Sequence, residues 1–394
     1  MISGFIYPLQ AFWRTRLKPV FQRSKHERKV RNWLTSLPAL SSANPGNQHL
    51  LIIRPDDIGD YILFRPALER IRKHEAFSGW KITVLGNQVW KDLAMELDGN
   101  FADNWIWLNK KSWFDDGGYR KTILEKLRDE APSIVWIPAR TRHFFLEDSL
   151  ASVYSGIPIF TSGHDFCHYP TSEEKDFIEK LAYRNQLVSQ KNIHELEFNR
   201  LLTGLFLGEK NMDTVALKQP VSLPDSTAFQ MELPKEPYLV FFPGASAGSK
   251  RWPPSHFAAL ADLLQPSGIR IILAGAPSDK EFARDIIVGA RFPDNILDLT
   301  GKTSLPQLLF LVTNARILVS NDTSAAHMAA MYQTPLVALC NGNKYGRFFP
   351  YPSGFRLVES LHPVNGIPFH FEDRYPIKRI SAQRAAQACI SLLK

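Results

Sequence analysis

Short apolar runs recur along the chain, and between them apolar residues return at helical spacing. The runs predict strands buried on both faces; the spacing predicts amphipathic helices. From His49 onward the pattern gives strands at Leu50–Ile53, Lys81–Leu85, Trp105–Leu108, Ile134–Ile137 and Ile157–Phe160. Helices are predicted over Tyr61–His74, with Ile62, Leu63, Leu68 and Ile71 inward, and over Val89–Leu97, Tyr119–Asp129 and Asn192–Leu207. Lys210–Lys235 is weakly patterned and carries Pro220, Pro224 and Pro234, as a connection does. The alternation then resumes. Strands are predicted at Tyr238–Phe242, Ile269–Ala274, Ile296–Asp298, Ile317–Val319 and Leu336–Leu339. The helices between and after them fall at Ser255–Leu264, Ser278–Val288, Ser304–Asn314, from about Ala325, and at Ser381–Leu393, the last expected to pack back onto the first domain.

Alternating strands and helices imply a parallel sheet covered on both faces. The predicted fold class is α/β, with two Rossmann-like doubly wound domains facing across a cleft. The boundaries are 1–48 for an N-terminal extension, 49–235 for a first domain and 236–394 for a second. Ligands of such sheets bind beyond the carboxyl ends of the strands.

Charge changes the picture at one end. The chain has 394 residues and a formal net charge of +8. Residues 1–31 hold eight Lys or Arg and one acid, Glu27, which leaves the remainder nearly neutral. A broad nucleic-acid-binding face is therefore not expected. Apolar residues at Ile2, Phe5, Ile6, Leu9, Phe12, Trp13, Leu17, Val20 and Phe21 alternate with basic ones from Arg14 onward. That pattern suits a helix on an anionic membrane surface, or one packed on the protein itself. No apolar run is long enough to span a bilayer. The three cysteines, Cys167, Cys340 and Cys389, form neither a disulfide framework nor a metal-ligand spacing, as expected of a reducing cytoplasm. His164 and His168 lie four apart without supporting ligands, so no metal and no cofactor are expected.

The candidate chemistry lies in turns after predicted strands. Ser320–Ser324 breaks a strand into small polar residues just before a helix. Asp322, Thr323 and Ser324 are helix-start residue types, and His327 follows one turn later. A helix start offers unpaired N–H groups and a positive dipole end, which makes an anion site. Pro243–Trp252 is a second such turn, with small residues for close backbone approach and Lys250 as a point charge, or else a plain turn. Thr300 and Gly301 stand in a third. Glu281 either accepts ribose hydroxyls or simply favours the start of its helix. In the first domain, Asp60 either takes a proton from an acceptor hydroxyl or caps a helix. Asp56 and Asp57 compete with it. Arg54, Arg140, Arg142 and His143 suit a phosphorylated or carboxylated acceptor, or form a solvated loop.

Four stretches together resemble glycosyltransferase family nine, the lipopolysaccharide heptosyltransferases: residues 58–68, 242–253, 299–305 and 319–330. The resemblance implies the GT-B architecture, with an acceptor domain followed by a nucleotide-sugar donor domain. It implies inverting, metal-independent transfer of heptose from ADP-heptose, or a related donor, to a lipopolysaccharide core or another cell-surface glycan. Asp60 would be the general base. Lys250, Asp322, Thr323, Ser324 and His327 would hold the donor sugar and diphosphate, and Glu281 its ribose. The family usually reads Asp-Thr-Gly-Pro-x-His where this chain has Ser324, Ala325 and Ala326 before His327. Two other functions fit the same fold: a nucleotide-sugar epimerase or hydrolase, and a non-catalytic membrane-surface module. An acceptor in the inner leaflet would place a cytoplasmic protein on the inner face of a bacterial inner membrane.

Overall fold

The computed structural model describes residues 18–37, 48–154, 156–162, 171–186, 188, 193–209, 223–364 and 376–394. Side chains are described from Lys25 onward in the first of these. The predicted amphipathic positions before Lys18, and His164, Cys167 and His168, lie outside the described residues.

In chain order the helices are α1 (Lys18–Leu34), α2 (Ile58–Lys73), α3 (Lys91–Asp98), α4 (Lys110–Asp115), α5 (Gly117–Asp129), α6 (Ser172–Glu179), α7 (Glu195–Phe206), α8 (Pro254–Leu264), α9 (Lys280–Gly289), α10 (Leu305–Thr313), α11 (Ser324–Met331) and α12 (Ala382–Leu393). The strands are β1 (His49–Arg54), β2 (Lys81–Asn87), β3 (Asn104–Leu108), β4 (Ile134–Ile137), β5 (Ile159–Thr161), β6 (Tyr183–Asn185), β7 (Tyr238–Phe242), β8 (Arg270–Leu273), β9 (Ile296–Asp298), β10 (Ile317–Asn321), β11 (Leu336–Leu339) and β12 (Val358–Leu361).

They form two six-stranded sheets, ordered β3-β2-β1-β4-β5-β6 and β12-β11-β10-β7-β8-β9. Every pairing within them is parallel. The central strands are rich in apolar residues because helices cover both faces. All of β1, β7, β10 and β11 is buried. The polar edge strands β6 and β12 lack that signature and went unpredicted.

Contacts divide the chain into two compact units that are discontinuous in sequence. The first takes its described residues from Met1–Pro55, Gly79–Gln88 and Ala102–Leu187. The second takes Asp56–Ser78, Val89–Phe101 and Val188–Lys394. Helices α2, α3 and α7 therefore pack with the second sheet's helices: α2 against α11 and α7, and α3 against α10.

The C-terminal helix also differs from expectation. It packs on α8 and β11 in the second unit, with Ala385, Ala386 and Cys389 buried there. Its small side chains allow that close approach. Trp252 anchors the turn before the helix, its Nε1 donating to the Ile380 carbonyl at 2.8 Å. In the first unit Val30 and Trp33 of α1 enter the core beside Trp113 and Phe145.

Candidate active site

The carboxyl ends of β7, β8 and β10 open onto a cavity of about 670 Å3 in the second unit. Its wall comes from Gly244–Ser246 and Arg251, then Gly275–Asp279, Thr303–Leu305 and Asp322–Ser324, with Asp57, Ile58 and Gly59 closing one side. A pocket at that edge of a parallel sheet is where ligands of doubly wound folds bind.

The loops are fixed by side chains that sequence reasoning passed over. Asn321, buried at the end of β10, donates to the carbonyls of Pro243 at 2.7 Å and Gly244 at 3.3 Å. Its Oδ1 accepts from the Trp252 amide at 3.1 Å, so one residue holds both ends of the 243–252 loop. Asn341 donates to the Ser249 carbonyl at 3.2 Å. Buried Asp279 accepts from the Ala276 amide at 3.0 Å and pairs with Arg251 at 3.4 Å. Asn321 and Asn341 had one legible signal, a position just after a predicted strand, while Asp279 fell within a predicted helix.

The three candidate turns contribute unequally. Lys250 and Asp322 meet as an ion pair of 2.9 Å, with little of either exposed. Thr323 and Ser324 line the cavity. Thr300 and Gly301 shape its wall from behind. The Gly301 amide donates to the Gly275 carbonyl at 2.8 Å. Its φ of +72° and the Pro277 Cα, 2.9 Å from where a Cβ would stand, make glycine necessary there. Glu281 is exposed on α9 and is not part of the lining.

Two helix starts meet at the cavity. Thr323 precedes α11 without capping it, its hydroxyl bonding Ser320 Oγ at 2.9 Å instead. No side chain caps α2 either. A Cβ on Gly59 would lie 2.9 Å from His327 Cδ2 and 3.7 Å from Ser324 Cα, so the first turns of α2 and α11 touch. Both starts direct first-turn N–H groups and a positive dipole end toward the same region.

Asp60 is the third residue of α2 and is half-buried. Its carboxylate lies 3.9 Å from Arg347, whose Nε pairs with buried Glu195 at 2.9 Å. Lys344 joins this group. Burial, then Arg347 and Lys250, push its pKa down, against the pull of Asp60 and Asp322. Lys344 and Arg347 sit in the turn after β11 and were not anticipated. The α2 start is itself held from below: Trp90 stacks on Tyr61 at 4.4 Å and donates to the Asp56 carbonyl at 3.0 Å.

His327 is enclosed by its neighbours. It is 3% exposed, its ring stacks on Phe349 at 5.3 Å, and its Nδ1 bonds the Tyr351 hydroxyl at 2.7 Å. Burial lowers its pKa to about 4, helped by His194 and Lys250 and opposed by Asp322 and Glu195. It is therefore neutral at pH 7, and it braces α2 instead of offering charge to a ligand. The linkage has a definite sign. Below the unfolded value of 6.5 the unfolded chain binds a proton that the folded chain refuses, so stability falls with pH until about 4. We expect a urea midpoint that drops between pH 6.5 and pH 4, with a slope approaching 1.4 kcal/mol per pH unit from this residue. His362, also lowered to about 4, adds the same sign. His327→Gln should flatten part of that fall; an unchanged slope would contradict the assignment.

In the first unit, Arg54 and Arg142 are turned into the fold. Arg54 is buried, and its guanidinium donates to the Pro138 carbonyl. Arg142 is buried between Asp148 at 3.0 Å and the Thr161 hydroxyl at 2.8 Å, over the ring of Tyr183. Both hold the sheet's loops together and present no face to an acceptor. His143 Nδ1 accepts from the Phe145 amide at 3.3 Å. Of the three arginines, Arg140 is the one partly exposed.

Comparison with known proteins bears on this geometry. The chain is 36% identical over 117 residues to lipopolysaccharide heptosyltransferase 2 of Escherichia coli K12, a stretch covering 29% of this chain and 34% of that protein. The chain thus spans about a third of the length of that curated relative. Lipooligosaccharide heptosyltransferase 2 of Campylobacter jejuni is 22% identical over 307 residues, covering 77% of this chain and 83% of the relative. Among solved structures, the glycosyl transferase family 9 protein of Veillonella parvula superposes with a TM-score of 0.67 at 18% identity, over 90% of this chain and 99% of that one. E. coli heptosyltransferase WaaC with ADP-2-deoxy-2-fluoro heptose gives 0.61 at 20%, over 87% and 99%. At such identities the structures establish the fold alone, two parallel α/β domains of the GT-B type. The model of glycosyltransferase family 9 (heptosyltransferase) matches residues 171–372, half of the chain. That match takes in the second sheet and the loops that wall the cavity, and with it the chain belongs to glycosyltransferase family 9.

Proposed function

We propose that the protein is an inverting glycosyltransferase that moves heptose from ADP-heptose, or a closely related nucleotide sugar, to a lipopolysaccharide core or another cell-surface glycan. The observation that carries this reading is the meeting of two uncapped helix starts at one cavity, with Asp60 on one and the Lys250–Asp322 pair beside the other. The nucleoside lies along the 244–246, 275–279 and 303–305 walls. The diphosphate lies against the start of α11. The acceptor oxygen attacks the anomeric carbon as the bond to the diphosphate breaks, and the acceptor's proton passes to Asp60. Charge on the departing diphosphate is met by helix-start amides and by the Lys250 and Lys344 ammonium groups. Ser324, which lines the cavity, faces the donor and tunes which sugar fits.

Among the described residues no helix is long and apolar enough to cross a membrane. With the basic N-terminal segment, that supports a peripheral position on the inner face of the inner membrane, where a lipid-linked acceptor is found.

A melting-temperature panel tests the donor. A ligand held only by the folded state at a hundred times its Kd adds about 2.7 kcal/mol of stability. ADP and ADP-heptose should raise the transition while UDP- and GDP-sugars leave it in place. Stabilisation by none of them would overturn the donor assignment. Free sugar released without acceptor would point to a hydrolase instead.

A further inference from the structure

The first unit carries a second concavity, of about 350 Å3, lined by Lys25, Arg28, Lys29 and Asn32 of α1, by Trp33, and by Phe114 and Arg120. We propose that this groove binds the phosphate headgroup of an anionic membrane lipid. The proposal extends the peripheral-membrane reading from a charge pattern to a built site, and it does not depend on the donor assignment.

The positions 25, 28, 29 and 32 recur at helical spacing, so one face of α1 supplies one wall. The opposite wall is anchored. Arg120 donates to the Trp113 carbonyl at 2.8 Å, and its guanidinium stacks 4.2 Å from the centre of Trp33. Trp33 is pinned in turn, its Nε1 donating to Ser149 Oγ at 2.9 Å. The floor is therefore rigid and aromatic, and the rim is cationic.

Asp116 lies close enough to Arg120 to act on its charge while its Oδ1 accepts from the Gly118 and Tyr119 amides at 2.8 and 3.2 Å. Glu173 pairs with Arg31 at 3.2 Å, and Glu174 with His26 at 3.4 Å. Among the described residues, Lys25, Arg28 and Lys29 have no carboxylate partner. Lys29 instead lies 4.5 Å over the Phe145 ring. Four cations around an apolar floor suit an anion with an apolar or neutral attachment. Two features favour a lipid over a free anion: Phe114 stands at the rim 39% exposed, and the preceding sequence alternates aromatic and basic residues.

The test is co-sedimentation of the full chain with vesicles of phosphatidylcholine with or without phosphatidylglycerol. The wild type should sediment only with the phosphatidylglycerol vesicles. Arg28→Glu/Lys29→Glu should bind more weakly by roughly tenfold or more. Arg291→Glu/Lys378→Glu, an equal charge change on the other unit, should bind as the wild type does. Phe114→Ser, at an exposed rim position, should weaken binding without any charge change.

Equal loss in both charge variants would reduce the effect to bulk attraction and overturn the groove. Unchanged binding by Arg28→Glu/Lys29→Glu would overturn the groove while leaving the peripheral reading intact. No sedimentation of the wild type would remove both. Inorganic phosphate raising the melting temperature of the wild type, with no vesicle binding, would assign the site to a soluble phosphate and overturn the lipid.

Discussion

Replacing Asp60 with Asn should lower kcat by roughly 10²–10⁴-fold while the fold and ADP-heptose binding survive. The size follows from the role: the amide keeps the shape but cannot take the acceptor's proton. Survival of the fold follows from the surroundings. Asp60 is half-buried, so Asn keeps much of its solvation. Arg347 keeps its closer partner, Glu195, at 2.9 Å. What is lost is a carboxylate in the first turn of a helix, a favourable dipole contact of about 0.3–1 kcal/mol. Heptosyl transfer followed by product separation reads the first effect, and the melting temperature with and without ADP-heptose reads the second. Turnover close to wild type would reject Asp60 as base. Asp57, which lines the cavity one turn earlier, would then be next to test.

Gly244→Ala should do the reverse, impairing donor binding through shape. A Cβ there would stand 2.2 Å from Asp279 Oδ2 and 2.7 Å from its Cγ. Real carbon atoms do not approach so closely, so Asp279 must move. That carboxylate cannot yield without consequence, because it holds the Ala276 amide and pairs with Arg251. Arg251 in turn donates to the Ala245 carbonyl at 3.0 Å. One methyl group thus disturbs two of the loops that wall the cavity. Overpacking of this kind costs about 1–3 kcal/mol. We expect a lower urea midpoint and ADP binding weakened at least about tenfold, the equivalent of 1.4 kcal/mol. Titration calorimetry with ADP checks it; wild-type affinity would mean that the nucleotide does not lie along this wall.

The parts legible in sequence were those written in apolar runs or in strand-turn-helix breaks. Strands β4, β7, β9 and β11 fall where their hydrophobic runs lie, and Asp60, Lys250, Asp322, Thr323 and Ser324 all sit at or beside the cavity. Strands β6 and β12 escaped because an edge strand needs no continuous apolar run. The enclosure of His327 was not legible, because residue type says nothing about which way a ring turns; Phe348, Phe349 and Tyr351, brought in from a distant turn, surround it. The burial of Arg54 and Arg142 was not legible for a related reason. A basic residue after a strand can reach outward to a ligand or back into the fold, and their partners Pro138 and Asp148 decided for the second. Asn321 and Asn341 had no electrostatic signature at all, since their work is to hold carbonyls in place.

The packing of Gly59 against His327 bears on how such enzymes can be recombined. In sequence, the helix that carries Asp60 belongs to the half containing β1; in space, it belongs to the unit containing α11. A crossover near residue 235 would hand a new donor half to an old α2, and would change the residues that Gly59, Asp60 and Arg65 meet at His327, Arg347 and Tyr332. Arg65 of α2 reaches across that junction with a 3.0 Å bond to the Tyr332 hydroxyl. The exchangeable piece is accordingly a mosaic: residues 56–78 and 89–101 travel with 188–394, and a hybrid built on the linker alone inherits a mismatched seam at the start of α2.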